Sequence, residues 1–507
     1  MPSQSQRGLC RLLLPLLCLL SASAALAKGE VATDTVAAQP FPPSYITVNA
    51  DKPHASLTPD DWTDARICGQ CHSRQFQGWQ GSMHSHAFKD PVFQALWALA
   101  EKDESVDVFN HCAACHSPIG TVTKTIRFDP DKGEHGAFSA PEIAEQGVSC
   151  DVCHTMSGTN FQETAVLEHG NASFEISPGQ KKRATLKDAK SPFHETEYSE
   201  HHSQSAFCGN CHQIFNPVTN YPVERTYDEW KYSIYAQKGI QCQDCHMVPV
   251  EAAIEVADTM KRPGELKNND LGGYAAMGGP YREVVHDHRF VGGNAVITAA
   301  MDGTGTDNDN YQDAIKRLQN VASLSLKIKR GAERQYKLRV KVKNERAGHN
   351  LPTSLTEVRQ VWLEVVVKDD KGRELLRSGT ITAENNRPDD SVWFGAHAVD
   401  VDGNDTILPW KVSYFTEFNT IPPKGYKYGR YGFTLPDDAT KVTVTAKLHY
   451  QSFSQTVANL LLGDDAPKIP VIEMASIERV YAVNELNMPS SEDLKDAANK
   501  TAANVEN

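Results

Sequence analysis

Five copies of one pentapeptide constrain this chain more than any other feature. They read Cys68-Gly69-Gln70-Cys71-His72, Cys112-Ala113-Ala114-Cys115-His116, Cys150-Asp151-Val152-Cys153-His154, Cys208-Gly209-Asn210-Cys211-His212 and Cys242-Gln243-Asp244-Cys245-His246. Two thiols separated by two residues and followed at once by an imidazole form the attachment signature of c-type haem. The thiols add to the two vinyl groups of one porphyrin, and the adjacent histidine stands under the iron as axial ligand. One such motif also fits a zinc knuckle or chance; five, each ending in His, do not. The expectation is therefore five covalently attached c-type haems. Cys68, Cys71, Cys112, Cys115, Cys150, Cys153, Cys208, Cys211, Cys242 and Cys245 are the thioether donors, and His72, His116, His154, His212 and His246 the proximal ligands.

Of the 12 cysteines only Cys10 and Cys18 lie outside the motifs, and both fall in the opening segment. That segment carries Arg7 and Arg11, an apolar run from Leu12 to Leu20, and small residues ending Ala25-Leu26-Ala27. This is the pattern of a secretory leader over residues 1–27, with Lys28 opening the exported chain. Pro15-Leu16-Leu17 lacks the small residue expected ahead of a lipidated Cys18, and the apolar run is short for a retained span. The exported chain then has no thiol left for a disulfide or a cysteine nucleophile. Loss of Arg7 and Arg11 moves the formal net charge from -13 to -15. Such an acidic chain without a basic patch argues against nucleic acid as partner, and suits solubility or docking to a basic redox protein. The location expected is the periplasm or the cell surface.

Residues 28–60 are rich in Pro, Ala and Thr without period and read as a linker. Residues 61–300 hold all five motifs, with patchy apolar periodicity. Phe93, Leu96, Trp97 and Leu99 mark one short amphipathic helix, and polar loops dominate elsewhere. Haems themselves supply the core of such a region: burying several hundred Å² of porphyrin at about 25 cal/mol per Å² contributes on the order of several kcal/mol each. From residue 320 the texture changes. Leu324, Leu326 and Ile328 alternate with polar residues, as do Leu338, Val340 and Val342, then Val442, Val444, Ala446 and Leu448; Val361–Val367 runs into the turn Asp369-Asp370-Lys371-Gly372. Period-2 strands between turn signals predict an antiparallel β-sandwich of about seven strands over 320–487. Residues 488–507 read as a disordered tail. The fold class expected is α+β and multidomain, a loop and short-helix haem region followed by the β-sandwich.

The chain has 19 histidines, which leaves fourteen outside the motifs. Haem iron in electron-transfer proteins normally takes a second strong ligand, often another His, which closes it to substrates. Several spare histidines sit in suggestive settings: His84 in Trp79-Gln80-Gly81-Ser82-Met83-His84, His194 and His202 just before the fourth motif, His288 after the fifth, and His349 in Gly348-His349-Asn350-Leu351-Pro352.

Trp79 to His84 after a C-x-x-C-H motif resembles the multihaem cytochromes related to the tetrahaem cytochrome of ammonia oxidisers. Gly147-Val148-Ser149 leading into the third motif is similar to a segment of that group, as is Thr226-Tyr227-Asp228-Glu229-Trp230 running toward the fifth. The resemblance spans roughly residues 61–360. It implies His84, His194, His202 and His288 as distal ligands, with His349 fifth; His86, His111, His201 and His286 lie close enough in sequence to displace them. Met83 and Met247 are expected to pack rather than ligate. The β region is an addition to the tetrahaem type. The ammonia-forming pentahaem nitrite reductases carry Lys at their catalytic motif, whereas every motif here ends in His.

Two acid-rich loops, Asp302–Asp309 and Asp400–Asp405, offer oxygen ligands but lack EF-hand spacing and read as solvated turns. Three functions follow. The first is an exported carrier of single electrons between redox partners, more an electron carrier than a catalyst. The second is an enzyme acting on a small nitrogen or sulfur compound at one haem that lacks its distal ligand. The third is a protomer that stacks haem to haem in an extracellular filament. The fourteen spare histidines favour the first, being enough to close every iron.

Overall fold

In the haem-motif region, helices form where a motif needs them and stop soon after. The helical span Phe109–His116 contains the whole second motif, Cys150–Thr155 the third and Cys242–His246 the fifth. Residues three and four apart share a helix face, so one turn points both sulfurs and the following imidazole the same way. The computed structural model describes residues 46–49, 56–103, 108–160, 169–267, 271–294 and 307–486, all within one compact unit of residues 40–507. The leader, most of the linker, most of the loop Asp302–Asp309 and the C-terminal tail lie outside the described residues. Among the described residues no helix is long and apolar enough to cross a membrane.

The amphipathic helix expected around Phe93 spans Pro91–Glu101, opened by Asp90, whose carboxylate accepts the Val92 and Phe93 N–H groups. It buries Trp97, Ala98 and Ala100. Trp97 stacks on Phe138 at 3.6 Å between centroids. Around it the haem-motif region has several small apolar clusters rather than one core, built on Trp62 and Phe174, on Phe88 and Trp97, and on Tyr235 and Ile240.

The helix Asp309–Val321 leads directly into the strands. These are β1 (Ala322–Arg330), β2 (Gln335–Asn344), β3 (Gln360–Asp369), β4 (Glu374–Ser378), β5 (Val392–Phe394), β6 (Ala396–Val399), β7 (Tyr414–Phe418), β8 (Tyr426–Thr434), β9 (Lys441–Gln451) and β10 (Ile472–Ala482). Every pairing among them is antiparallel. One sheet has the order β1-β2-β8; a second runs β4-β3-β9-β10 with β5 also paired to β3; β6 and β7 form a ribbon. Tyr336, Leu338, Val340 and Val342 of β2 share one core with Val361, Leu363, Val365 and Val367 of β3 and Val442, Val444, Ala446 and Leu448 of β9. Each set alternates along its strand, which points it to one face of its sheet; each fully buried aliphatic side chain contributes roughly 1.5–3 kcal/mol.

This is the expected strand-rich region with ten strands instead of about seven. The additional strands are short, or carry Gly and Tyr where aliphatic residues would announce them: β8 reads Tyr-Lys-Tyr-Gly-Arg-Tyr-Gly-Phe-Thr. The loop Asp400–Asp405 is a closed turn, the Asp400 carboxylate accepting the Asp402 and Asn404 N–H groups.

Buried polar contacts tie the two textures together. Arg317, on the helix before β1, donates to the carbonyls of Cys245 and Val248, both at 2.8 Å. Asn216 donates its side-chain amide to the carbonyls of Pro409, Trp410 and Val412. The loop between β2 and β3, which carries His349, meets Glu229: its carboxylate accepts the Asn350 N–H at 3.1 Å and the Thr353 hydroxyl. From the end of β2, buried Asn344 donates to the His349 carbonyl at 3.0 Å.

Candidate haem-binding site

A continuous cavity of about 2050 Å³ runs through the haem-motif region and against the β2–β3 loop. Nine of the ten motif cysteines, all but Cys112, and all five motif histidines line it. None of the ten thiols is in a disulfide. Thiols of different motifs lie close enough to perturb one another's ionisation: Cys68 and Cys150, Cys115 and Cys211, and Cys208 and Cys242. Cys153 lies close enough to act electrostatically on Cys208 and Cys211. The attachment points therefore adjoin one another, with the fourth motif beside the second, third and fifth, and the third beside the first.

Four motif histidines face a second imidazole across the cavity. Ring centroids are 6.4 Å apart for His72 and His194, 6.2 Å for His212 and His84, 6.3 Å for His154 and His288, and 6.2 Å for His246 and His349. Two imidazoles on opposite sides of one metal ion, each with a metal–nitrogen distance of about 2 Å, hold their centroids roughly 6 Å apart. The donor set and its spacing fit haem.

The outer nitrogens agree with this. Nδ1 of His72, His116, His154 and His246 donates to the carbonyls of Ala275, Ala87, Arg183 and Val291, at 2.7 to 3.0 Å. Nδ1 of His194, His288 and His349 likewise meets the carbonyls of Glu195, His286 and Asn350. Such a bond fixes the tautomer and leaves Nε2 as the ligating atom. Burial pushes His84, His246 and His288 down to about 3 and His116 to about 4, and lowers His154 and His349. These rings are neutral at pH 7, the form a metal requires.

His212 differs. Burial works downward on it, but the buried Glu224 carboxylate 3.5 Å from Nδ1 prevails and holds the ring above its ordinary value. The accessible surface of His212 lines the cavity, so enclosing protein rather than bulk water governs its charge.

His202 departs from expectation. Its ring lies 5.9 Å from that of His154, as close as His288 does, but its Nε2 donates to the Cys153 carbonyl at 3.0 Å. The nitrogen that the other candidates keep for iron is committed to backbone, which favours His288 as the imidazole opposite His154.

His116 has a different neighbour again. The Phe93 ring stacks on it at 3.5 Å and 1°, and among the described residues no histidine ring faces it. The five expected distal residues thus meet four motif histidines, not five. The nearby alternatives are placed elsewhere. His86 bonds the Ser82 carbonyl through Nδ1, His201 sits beside Asn210, His111 is buried and pushed down to about 4, and His286 lines the cavity next to His288. Met83 packs with Val92, Val358 and Phe453, and Met247 lines the cavity. Phe93 and Glu224 were not singled out by sequence: the first reads as one apolar position of a helix, the second as one acid in the short strand Pro222–Glu224.

The sequence family described as "Cytochrome c554 and c-prime" matches residues 67–155. In structure the chain is similar to the penta-heme cytochrome c552 from Thermochromatium tepidum, with a TM-score of 0.57 at 18% identity, over 84% of this chain and 100% of that one. A second similar structure is Northeast Structural Genomics Consortium target SoR45, with a TM-score of 0.14 at 10% identity, over 32% of this chain and 87% of that one. No curated protein matches in sequence. The repeated motifs, the family match over residues 67–155 and the shared fold are each similar to those of multihaem c-type cytochromes. Within that class the likeness is to cytochromes c554 and c-prime in sequence around the first three motifs, and to penta-heme cytochrome c552 in fold.

Proposed function

We propose that the chain is an exported carrier of single electrons holding five haems, four of them between paired histidines. The pairs are His72 with His194, His212 with His84, His154 with His288, and His246 with His349. The recurrence of one centroid separation, 6.2 to 6.4 Å, at four separate motifs carries this reading. When bound, haem supplies reversible one-electron ferric–ferrous chemistry. The residues of this chain do the rest. The cysteines would fix each porphyrin as thioethers, the paired imidazoles would exclude exogenous ligands, and the fold sets attachment points of different motifs close to one another. The leader over 1–27 supports export to the periplasm or cell surface, the partners being redox proteins. The haem-motif region, 61–300, and the β region, 320–487, act as one body, because His349 comes from the second and faces His246 of the first.

The test is a haem count with spectroscopy of the oxidised protein. Five haems per chain by pyridine haemochrome assay, dominated by low-spin bis-histidine signals, are expected. Fewer than five, or a mainly high-spin spectrum, overturns the reading.

One observation supports a second reading for one haem. With Phe93 on its ring and no histidine facing it among the described residues, His116 would hold a haem that lacks the paired imidazole of the other four. Asp90, whose carboxyl burial pushes up, lines the same cavity as a proton-holding group, and Arg359 adds a fixed positive charge to it. A small nitrogen or sulfur compound is the substrate class. One high-spin haem per chain that binds carbon monoxide, nitrite or hydroxylamine is expected; a fully low-spin spectrum indifferent to all three removes this reading.

A further inference from the structure

We propose that the surface around the first motif and His194 is the docking face for an acidic one-electron redox protein. This rests on the reading that His72 and His194 hold a haem.

Exposed apolar side chains collect there. Ile67, Phe193, Tyr274, Met277 and Tyr281 are 58% to 78% exposed. Each belongs to a segment that builds the first site. Ile67 precedes Cys68, and Phe193 precedes His194. Met277 donates its N–H to the Cys71 carbonyl. Tyr274 and Tyr281 face each other across the hairpin that flanks Ala275, whose carbonyl takes the His72 Nδ1–H. Ile67, Phe193 and Met277 form the mouth of the cavity, whereas Tyr274 and Tyr281 stand outside it, exposed irrespective of what fills it. An apolar cluster with a polar rim, rich in aromatic residues and Met, is the composition of a protein interface.

The local charge identifies the occupant. The chain as a whole is at -13, yet Lys181, Lys182, Arg183, Lys187 and Lys190 crowd one ten-residue segment beside this cluster, with Asp188 the single acid. Lys182 is engaged by Asp151, Lys181 and Arg183 by Glu197, and Asp188 by Arg282. Among the described residues no carboxylate pairs with Lys187, Lys190 or Arg74, all exposed. Lys187 lies over the Tyr198 ring at 4.9 Å, and Arg74 reaches the hairpin at Gly273. Glu195, Glu200 and Glu283 are exposed acids nearby without a salt bridge among the described residues, and the run Lys181–Lys190, with five cations to one acid, is the positive side of the rim. A rim of this sign steers an acidic partner toward the first haem edge and repels a basic one. A second copy meeting the same face about a two-fold axis would set like charges against each other. The cluster is small, in keeping with the transient contacts of electron-transfer partners.

The experiment uses the haem-loaded full chain and an acidic plant-type [2Fe–2S] ferredoxin as probe, both oxidised, in calorimetric titrations. Binding is expected to weaken at least about tenfold between about 0.01 M and 0.2 M salt. At low salt the double variant Lys187→Glu/Lys190→Glu is expected to lose at least about tenfold in affinity, and Tyr274→Ser/Tyr281→Ser several-fold at every salt concentration. Unchanged haem spectra show that the variants are folded. Wild-type affinity in the lysine variant, or tighter binding of basic mitochondrial cytochrome c at this face, overturns the proposal. So does a wild-type dimer in sedimentation velocity that the same substitutions dissolve, which makes a second copy the occupant. A protein with no haem at the first motif fails the underlying reading; an intact haem with salt-independent binding fails only this inference.

Discussion

His246 and His349 face each other at 6.2 Å with their ring planes 18° apart, one from the fifth attachment motif and the other from the loop between β2 and β3. Asn344 holds the His349 carbonyl, Glu229 holds the next N–H, and Nδ1 of His349 meets the Asn350 carbonyl. The strand-rich region is thus a structural part of the haem site. His349→Ala is expected to convert one low-spin haem into a high-spin one while the strands stay folded. Electron paramagnetic resonance of the oxidised variant, with added imidazole restoring the low-spin signal, checks it.

His288 and His202 stand at similar distances from His154, and their hydrogen bonds separate them. His288→Ala is expected to produce a high-spin haem, and His202→Ala to leave the low-spin spectrum intact with at most about 1–3 kcal/mol of lost stability, from the freed Cys153 carbonyl. The reverse pattern assigns the ligand to His202.

Among the described residues Glu224 supplies the one carboxylate in ion-pair range of a motif imidazole. A carboxylate on Nδ1 makes the ligand more basic and stabilises the more positive ferric iron. Glu224→Gln is expected to raise one reduction potential by some tens of mV, where about 59 mV is a tenfold change for one electron. Spectroelectrochemical titration of the haem-loaded protein resolves this.

Glu357 is fully buried, and among the described residues neither of its carboxyl oxygens has a partner from another residue. Burial pushes its carboxyl up to about 8 from an ordinary 4.5. Between those values the folded protein keeps a proton that the unfolded chain has released. Stability therefore falls as pH rises from about 4.5 to about 8 and is level beyond, by on the order of several kcal/mol at about 1.4 kcal/mol per pH unit. Glu357→Gln is expected to remove that slope, raising Tm at pH 9 and leaving it unchanged at pH 4. Thermal unfolding across that range measures it.

Much of the site's chemistry was legible because it is local. C-x-x-C-H is a contiguous pentapeptide, and one helical turn suffices to present its three ligands. The alternation in β1, β2, β3 and β9 announces itself over a few residues, as does the helix around Trp97. β8 was not legible, because Gly429, Gly432 and its tyrosines carry no period-2 aliphatic signal, and it becomes a strand only by pairing with β2.

The sequence by itself carried the five C-x-x-C-H motifs, each with its imidazole beside its two thiols, and the point where loops give way to strands, since each depends on neighbours along the chain. Only the tertiary structure decided the far side. It set His194 opposite His72, chose between His202 and His288 by which nitrogen the backbone already holds, and placed Phe93 on His116 and Glu224 on His212. Those choices depend on segments that meet through folding, and no local pattern encodes a meeting between residues so far apart in the chain.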